Sequence, residues 1–171
     1  MPSTAAAAAG SLAYNGLSNS LEGLGRFEEA TRACQRAIRR VPACDLAFYN
    51  LGRLLRSADR TREATIAHAS AAALKPDEPQ YVIGLGTALH GTGRNAEARV
   101  AYRTASRLSP RWSSPYRNLG LLDFEAQRPR EALAWFDKTV ALDPNSAETY
   151  CDMGTSQAPL LVGAICALHG G

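Results

Sequence analysis

Residues 113–144 read SSPYRNLGLLDFEAQRPREALAWFDKTVALDP. Tyr116, Leu119, Leu122 and Ala126 fall at helical spacing, the pattern of an amphipathic helix. Ser113 is placed to cap it, and Pro115 sits in the first turn, where a missing N–H is not needed. Gln127-Arg128-Pro129 ends the helix, because a proline biases the preceding residue out of helical dihedrals. Pro129 then opens a second helix with Ala132, Phe136, Thr139 and Val140 on one face, and Asp143-Pro144-Asn145 stops it. The stretch predicts a helical hairpin.

That hairpin recurs. Pro42, Pro76, Pro110 and Pro144 each stand 34 residues after the last, as do Leu17, Leu51, Leu85 and Leu119. Ala30, Ala64, Ala98 and Ala132 keep the same interval. One supersecondary unit stacked several times is the architecture that produces such ladders, and a binding surface is its usual product. The predicted helices are 11–24, 27–40, 45–58, 61–74, 79–92, 95–108, 113–126 and 129–142, with a ninth beginning near Ala147. The helix-to-helix turns carry different chemistry: Gly25-Arg26, Asp59-Arg60, Gly93-Arg94 and Gln127-Arg128-Pro129. The chain thus divides into an Ala-rich tail (1–10), four repeats (11–44, 45–78, 79–112, 113–146), the first helix of an incomplete fifth (147–157) and an atypical apolar tail (158–171). That tail is open to reading as a folded-back cap, a truncation or a reading-frame scar.

Small residues recur inside the first helices. Ser18, Gly52, Gly86, Gly120 and Gly154 follow the repeated leucine, or Met153 in the last case. A glycine there costs about 1 kcal/mol against alanine, so its recurrence predicts close approach of the partner helix. The expected facing residues are the alanine ladder, with Ala37, Ala71, Ala105 and Thr139 as a second small ladder. Tyr14, Phe48, Val82, Tyr116 and Tyr150 fill the space between hairpins.

These blocks resemble the tetratricopeptide repeat, a 34-residue helix–turn–helix unit. The resemblance runs from residue 11 to about 157 and rests on NLGLLDFEAQRPREALAWFDKTVALDP and its two upstream counterparts. It implies an all-α, right-handed superhelical solenoid of antiparallel helix pairs whose first helices line a concave groove. A 35-residue pentatricopeptide period does not fit. His68 and Cys34 stand where Tyr102 and Phe136 occupy the second helix, and are expected to be core fillers. Asp123 and Gln157 replace the leucine seen at Leu21, Leu55 and Leu89. Looser packing is the preferred reading of that change, ahead of a polar contact.

The resemblance also implies a binding groove, built from residues one turn apart on the first helices: Asn15, Asn19, Tyr49, Asn50, Arg53, Arg56, Arg117, Asn118, Leu121 and Phe124. Ile83, Thr87 and His90 would face it from the third repeat. Asparagine amides pair with a peptide backbone without reading its sequence. The arginines suit carboxylates, and Tyr49 and Phe124 suit an apolar anchor. The expected partner is therefore a protein or peptide, with an acidic one included. The two-carboxylate clamp of chaperone adaptors is not expected: Asn19 and Asn50 match it, but Asn15, Gln80 and Gly84 stand where its cations would be. The asparagine ladder of O-linked glycosyltransferase arrays is half present, at Asn50 and Asn118, with Gly16 and Gly84 at its other places.

Composition sets the remaining bounds. The 171 residues are 46% apolar and 20% charged, with a formal charge of +3, too small to argue for nucleic acid. Cys34, Cys44, Cys151 and Cys166 form no CxxC and have no histidine at ligand spacing, so no metal site is expected and free thiols in a reducing compartment are. The start lacks a basic signal-peptide region, and Leu160–Leu168 is too short to span a bilayer. A soluble cytoplasmic protein without membrane contact is the expectation. Gly84-x-Gly86 lies inside a helix and is packing glycine; Glu28-Glu29 and Glu125…Glu131 are solvated charges. No residue is assigned to catalysis and no cofactor is expected. The leading expectation is a non-enzymatic interaction scaffold. The alternatives are a substrate-recruiting or regulatory segment of a larger enzyme, such as an O-linked glycosyltransferase, and a self-assembling array. The oligomeric state is open.

Overall fold

The computed structural model describes the backbone of residues 4–156 and the side chains of 13–156 other than Asn15. Every regular element among them is a helix: α1 (Thr4–Gly23), α2 (Phe27–Arg40), α3 (Asp45–Ser57), α4 (Thr61–Leu74), α5 (Pro79–Gly91), α6 (Asn95–Leu108), α7 (Ser114–Glu125), α8 (Pro129–Leu142), and residues 147–156, here α9. The fold class is all-α, with consecutive helices paired. Ends agree with the sequence expectation to within two residues, with one exception. The segment 4–10, expected as a tail, is the opening of α1. Alanine is the strongest helix former, so the run of it continues α1 towards the N-terminus. Gln157 and the segment 158–171 lie outside the described residues.

Each helical hairpin turns by one device. Gly25, Asp59, Gly93 and Gln127 all have positive φ, at 73°, 58°, 76° and 56°. In each turn the next residue's N–H reaches back to the last turn of the preceding helix: Arg26 to Leu21 O, Arg60 to Leu55 O, Arg94 to Leu89 O and Arg128 to Asp123 O, at 2.8–2.9 Å. This is the Schellman closure of a helix, with its left-handed residue. The turns that differ in sequence are the same in geometry. The stop is thus set at Gln127, two residues ahead of Pro129. Ser113 makes no side-chain cap to α7; its carbonyl accepts from the Tyr116 and Arg117 N–H groups instead.

The chain divides into two compact units, Met1–Ala98 and Arg99–Gly171, with the division inside α6. In the first unit α1 packs on α2, α3 on α4 and α4 on α5, while the first helices touch directly, α1 with α3 and α3 with α5. In the second, α7 packs on α8. The alanine ladder is its predicted core: Ala30, Ala64, Ala98 and Ala132 are fully buried, as are Ala37, Ala71 and Ala105.

The glycine seam differs in one respect from the expected one. A Cβ on Gly52 would lie 2.7 Å from the His68 ring, and one on Gly120 would lie 2.4 Å from Phe136. The first-helix glycine therefore makes room for the large side chain of the second helix, sixteen residues later, rather than for an alanine. Ser18 and Cys34 repeat that offset as a 3.1 Å Oγ–Sγ hydrogen bond. His68 and Cys34 are core residues, as expected.

Candidate functional site

In the first unit, the α1–α3–α5 face carries most of the expected groove residues. Its centre is aromatic. The Tyr49 ring meets Tyr81 at a centroid distance of 5.1 Å and His68 edge-on at 5.5 Å. The imidazole of His68 is wedged between two helix backbones: Gly52 of α3 on one side and Gly84 of α5 on the other, where a Cβ would stand 2.8 Å from Nδ1. Its Nδ1 has no hydrogen-bond partner, and the ring is 1% exposed. Burial pushes its pKa down from 6.5 to about 4, and Arg56 and Arg53 push the same way. Tyr81 Oη donates to Asp45 Oδ2 at 2.7 Å, and Lys75 Nζ lies 2.9 Å from the same oxygen. Those bonds hold the Asp45 carboxyl below its usual range, against the burial that opposes ionisation.

Asn50, beside Tyr49 on α3, is 4% exposed, and its Nδ2 has no partner. Arg53, one turn on, is not free: Nη2 donates to Glu22 Oε1 of α1 at 2.7 Å. Arg56 and Asn19 are exposed. Asn15 lies on α1, and its side chain is outside those described. On α5, Ile83 is buried, and half-buried Thr87 donates its hydroxyl to the Ile83 carbonyl, which leaves its oxygen only as an acceptor.

The second unit gathers Arg117, Asn118, Leu121 and Phe124 on α7, all half-buried. Arg117 is held by two carboxylates of α9, Nε on Asp152 at 2.8 Å and Nη1 on Glu148 at 2.6 Å. Asp123, expected to mark loose packing, is instead buried in a set of charged and polar partners. It is 3% exposed and accepts from Arg99 Nη2 at 2.8 Å, Trp135 Nε1 at 2.9 Å and Arg128 Nη2 at 2.6 Å. A buried carboxylate is tolerated only when it is paired and hydrogen-bonded, and this one is both. These partners hold its pKa below the ordinary range although burial pushes it up.

Repeated helical hairpins with a packed seam define a class of protein, the helical-repeat scaffold. The tetratricopeptide repeat model matches residues 15–79 and 83–147, and the chain belongs to the tetratricopeptide repeat family. Among solved structures, PilF of Pseudomonas aeruginosa is similar, with a TM-score of 0.81 and 22% identity over 90% of this chain and 70% of that one. The 41-end portion of MamA from Desulfovibrio magneticus RS-1 gives 0.72 and 19%, over 78% and 76%. YrrB, described as a tetratricopeptide protein with an unusual peptide-binding site, gives 0.70 and 20%, over 85% and 75%. At these identities the likeness shows the fold. No curated protein matches the chain. The family is one of protein–protein interaction scaffolds, generally without catalytic activity. No helix among the described residues is long and apolar enough to cross a membrane.

Proposed function

We propose that the α1–α3–α5 face holds a segment of another protein, with Asn50 pairing to its backbone. The observation that supports this most is the Asn50 amide. Its Nδ2 is buried and unpartnered on a helix face otherwise lined by Tyr49 and Arg53. An unmade hydrogen bond of this kind costs about 1–3 kcal/mol, and a peptide carbonyl would satisfy it once the amide turns towards the face. Tyr49 supplies an apolar surface for the flanking side chain. A recruiting segment of an O-linked glycosyltransferase is the weaker reading, since Gly84 interrupts the asparagine series directly after Asn50.

The test pairs stability with affinity. Dodecapeptides selected from a random library on the intact chain are measured against Asn50→Leu. Replacing an unpartnered amide by an apolar group of similar size should raise the unfolding midpoint. It should also weaken the selected peptides roughly threefold to tenfold, the worth of one hydrogen bond. Unchanged peptide affinity would remove Asn50 from the site, and failure to select any peptide would remove the site.

A further inference from the structure

Arg53 is the one arginine of the expected groove that is half satisfied. Glu22 contacts it through a single bond, Nη2 to Oε1 at 2.7 Å. The helix-start arginines are engaged differently: Arg26, Arg60 and Arg94 each grip Glu29, Glu63 and Glu97 through both Nε and Nη2, at 2.7–2.8 Å. Arg117 is saturated in yet another way, by Asp152 and Glu148 together. Fork-on geometry is what a guanidinium prefers with a carboxylate, and Arg53 does not have it.

Glu22 is also poorly placed for its own helix. It lies in the last turn of α1, where the helix dipole is negative and no basic residue offsets it. The same repeat place is Arg56 in α3 and His90 in α5, both in last turns, where a cation is favoured. The Glu22 side chain is 22% exposed and that of Arg53 39% exposed, so the pair is reachable from solvent. Glu22 is thus a carboxylate set against its own helix, occupying one arm of a guanidinium.

We propose that Glu22 is an internal competitor. It occupies Arg53 in the free chain and yields to an Asp or Glu side chain of the partner segment, which takes the guanidinium fork-on. Once Glu22 leaves, Arg53 and the exposed Arg56 on α3 form a cationic pair one turn apart, and a carboxylate-bearing segment is the partner chemistry they complement. Arg117, held by two carboxylates, is an internal clamp of the second unit and no part of this exchange. The proposal rests on the groove reading above and specifies which partner it admits and what restrains it.

Library selection is run in parallel on the wild-type chain and Glu22→Gln, and affinities are read by fluorescence anisotropy at low salt. Glu22→Gln should enrich peptides carrying Asp or Glu and bind them about twofold to fivefold tighter than wild type, the worth of an exposed ion pair. The gain should vanish in Glu22→Gln/Arg53→Ala and when the peptide acid is changed to its amide. Thermal midpoints of all three proteins confirm that each is folded. A gain that persists without Arg53, or Asn50-dependent binding that Glu22→Gln leaves unchanged or weakens, overturns the competitor and spares the groove. No peptide selected by either protein overturns both.

Discussion

The second and fourth hairpins put different chemistry into one backbone plan. In the second, Leu55 stands in an apolar cluster with Ala64, Ala67 and Leu51, and His68 fills the notch at Gly52. In the fourth, the equivalent places hold Asp123 and Phe136: the notch is apolar and the ladder position carries a charge. Both hairpins nonetheless close by the same hydrogen bond, Arg60 to Leu55 O and Arg128 to Asp123 O, at 2.9 Å. The turn and the seam dictate the shape of a repeat. The side chain filling each place is free to vary provided its own polar groups are answered. Asp123 answers its charge with two arginines and an indole, and in doing so takes Arg128 away from the helix-start pairing that Arg26, Arg60 and Arg94 make.

The sharpest way to break that comparison is to give the fourth hairpin the leucine of the second. Asp123→Leu strands Arg99 and the Trp135 N–H, and should cost about 3–5 kcal/mol in urea unfolding. Adding Arg99→Met should recover much of the loss, because the more buried of the two guanidiniums is then gone and Arg128, its side chain 48% exposed, stays solvated. A loss below about 1 kcal/mol would show that the ion cluster is ornamental.

The converse exchange tests the second hairpin. His68 is neutral when folded, with a pKa near 4, and titrates near 6.5 when unfolded. The unfolded chain therefore takes the proton first. The contribution of His68 is complete above pH 6.5 and falls as the pH drops towards 4, by roughly 3 kcal/mol in all. Tyr49 meets it edge-on, and the charges of Arg56 and Arg53 both disfavour an imidazolium. His68→Phe, which copies the Phe136 arrangement, should abolish this slope, so that its stability advantage over wild type grows from pH 6.5 to 4. Parallel stability–pH curves would show that the ring is protonated at no cost.

The smallest effect concerns the turns. Gln127 holds a positive φ that its two counterparts Gly25 and Gly93 take without a Cβ. Gln127→Gly should stabilise the chain by about 0.5–1 kcal/mol, less whatever the freer unfolded chain takes back. A chemical-denaturation midpoint that falls instead would mean that the Gln127 side chain contributes more than its strain costs.

The 34-residue interval, the helix limits and the buried alanine ladders were legible in the sequence because each is a repeating property of the backbone plan. The common turn was partly legible: Gly25 and Gly93 mark the left-handed position, and only Asp59 and Gln127 obscure it. The partner of the first-helix glycine is not legible in this way. A seam of small residues at one period suggests small facing small, while a second-helix ring at an offset of 16 is what fills it. The sequence marks the places of the candidate site but not their pairings. Nothing in the type of Arg53 or Arg117 says that a neighbouring first helix already answers it. Yet a signal exists, because both Arg53–Glu22 and Arg117–Glu148 are 31 residues apart, one repeat less one helical turn. Charges of opposite sign at that separation face each other across adjacent first helices within a unit. Asp123 had no comparable mark, since its partners lie 24, 5 and 12 residues away in no periodic relation.

Cys34 brings a further consequence. Its thiol is sealed in the first hairpin against Ser18, and burial pushes its pKa up, so it is both hidden and poorly nucleophilic. Cys151, by contrast, lies at the surface of α9. The molecule therefore carries a native clock. Under alkylation Cys151 is consumed directly, while modification of Cys34 must wait for its own hairpin to part, so the chain's own thiols time the breathing of one repeat.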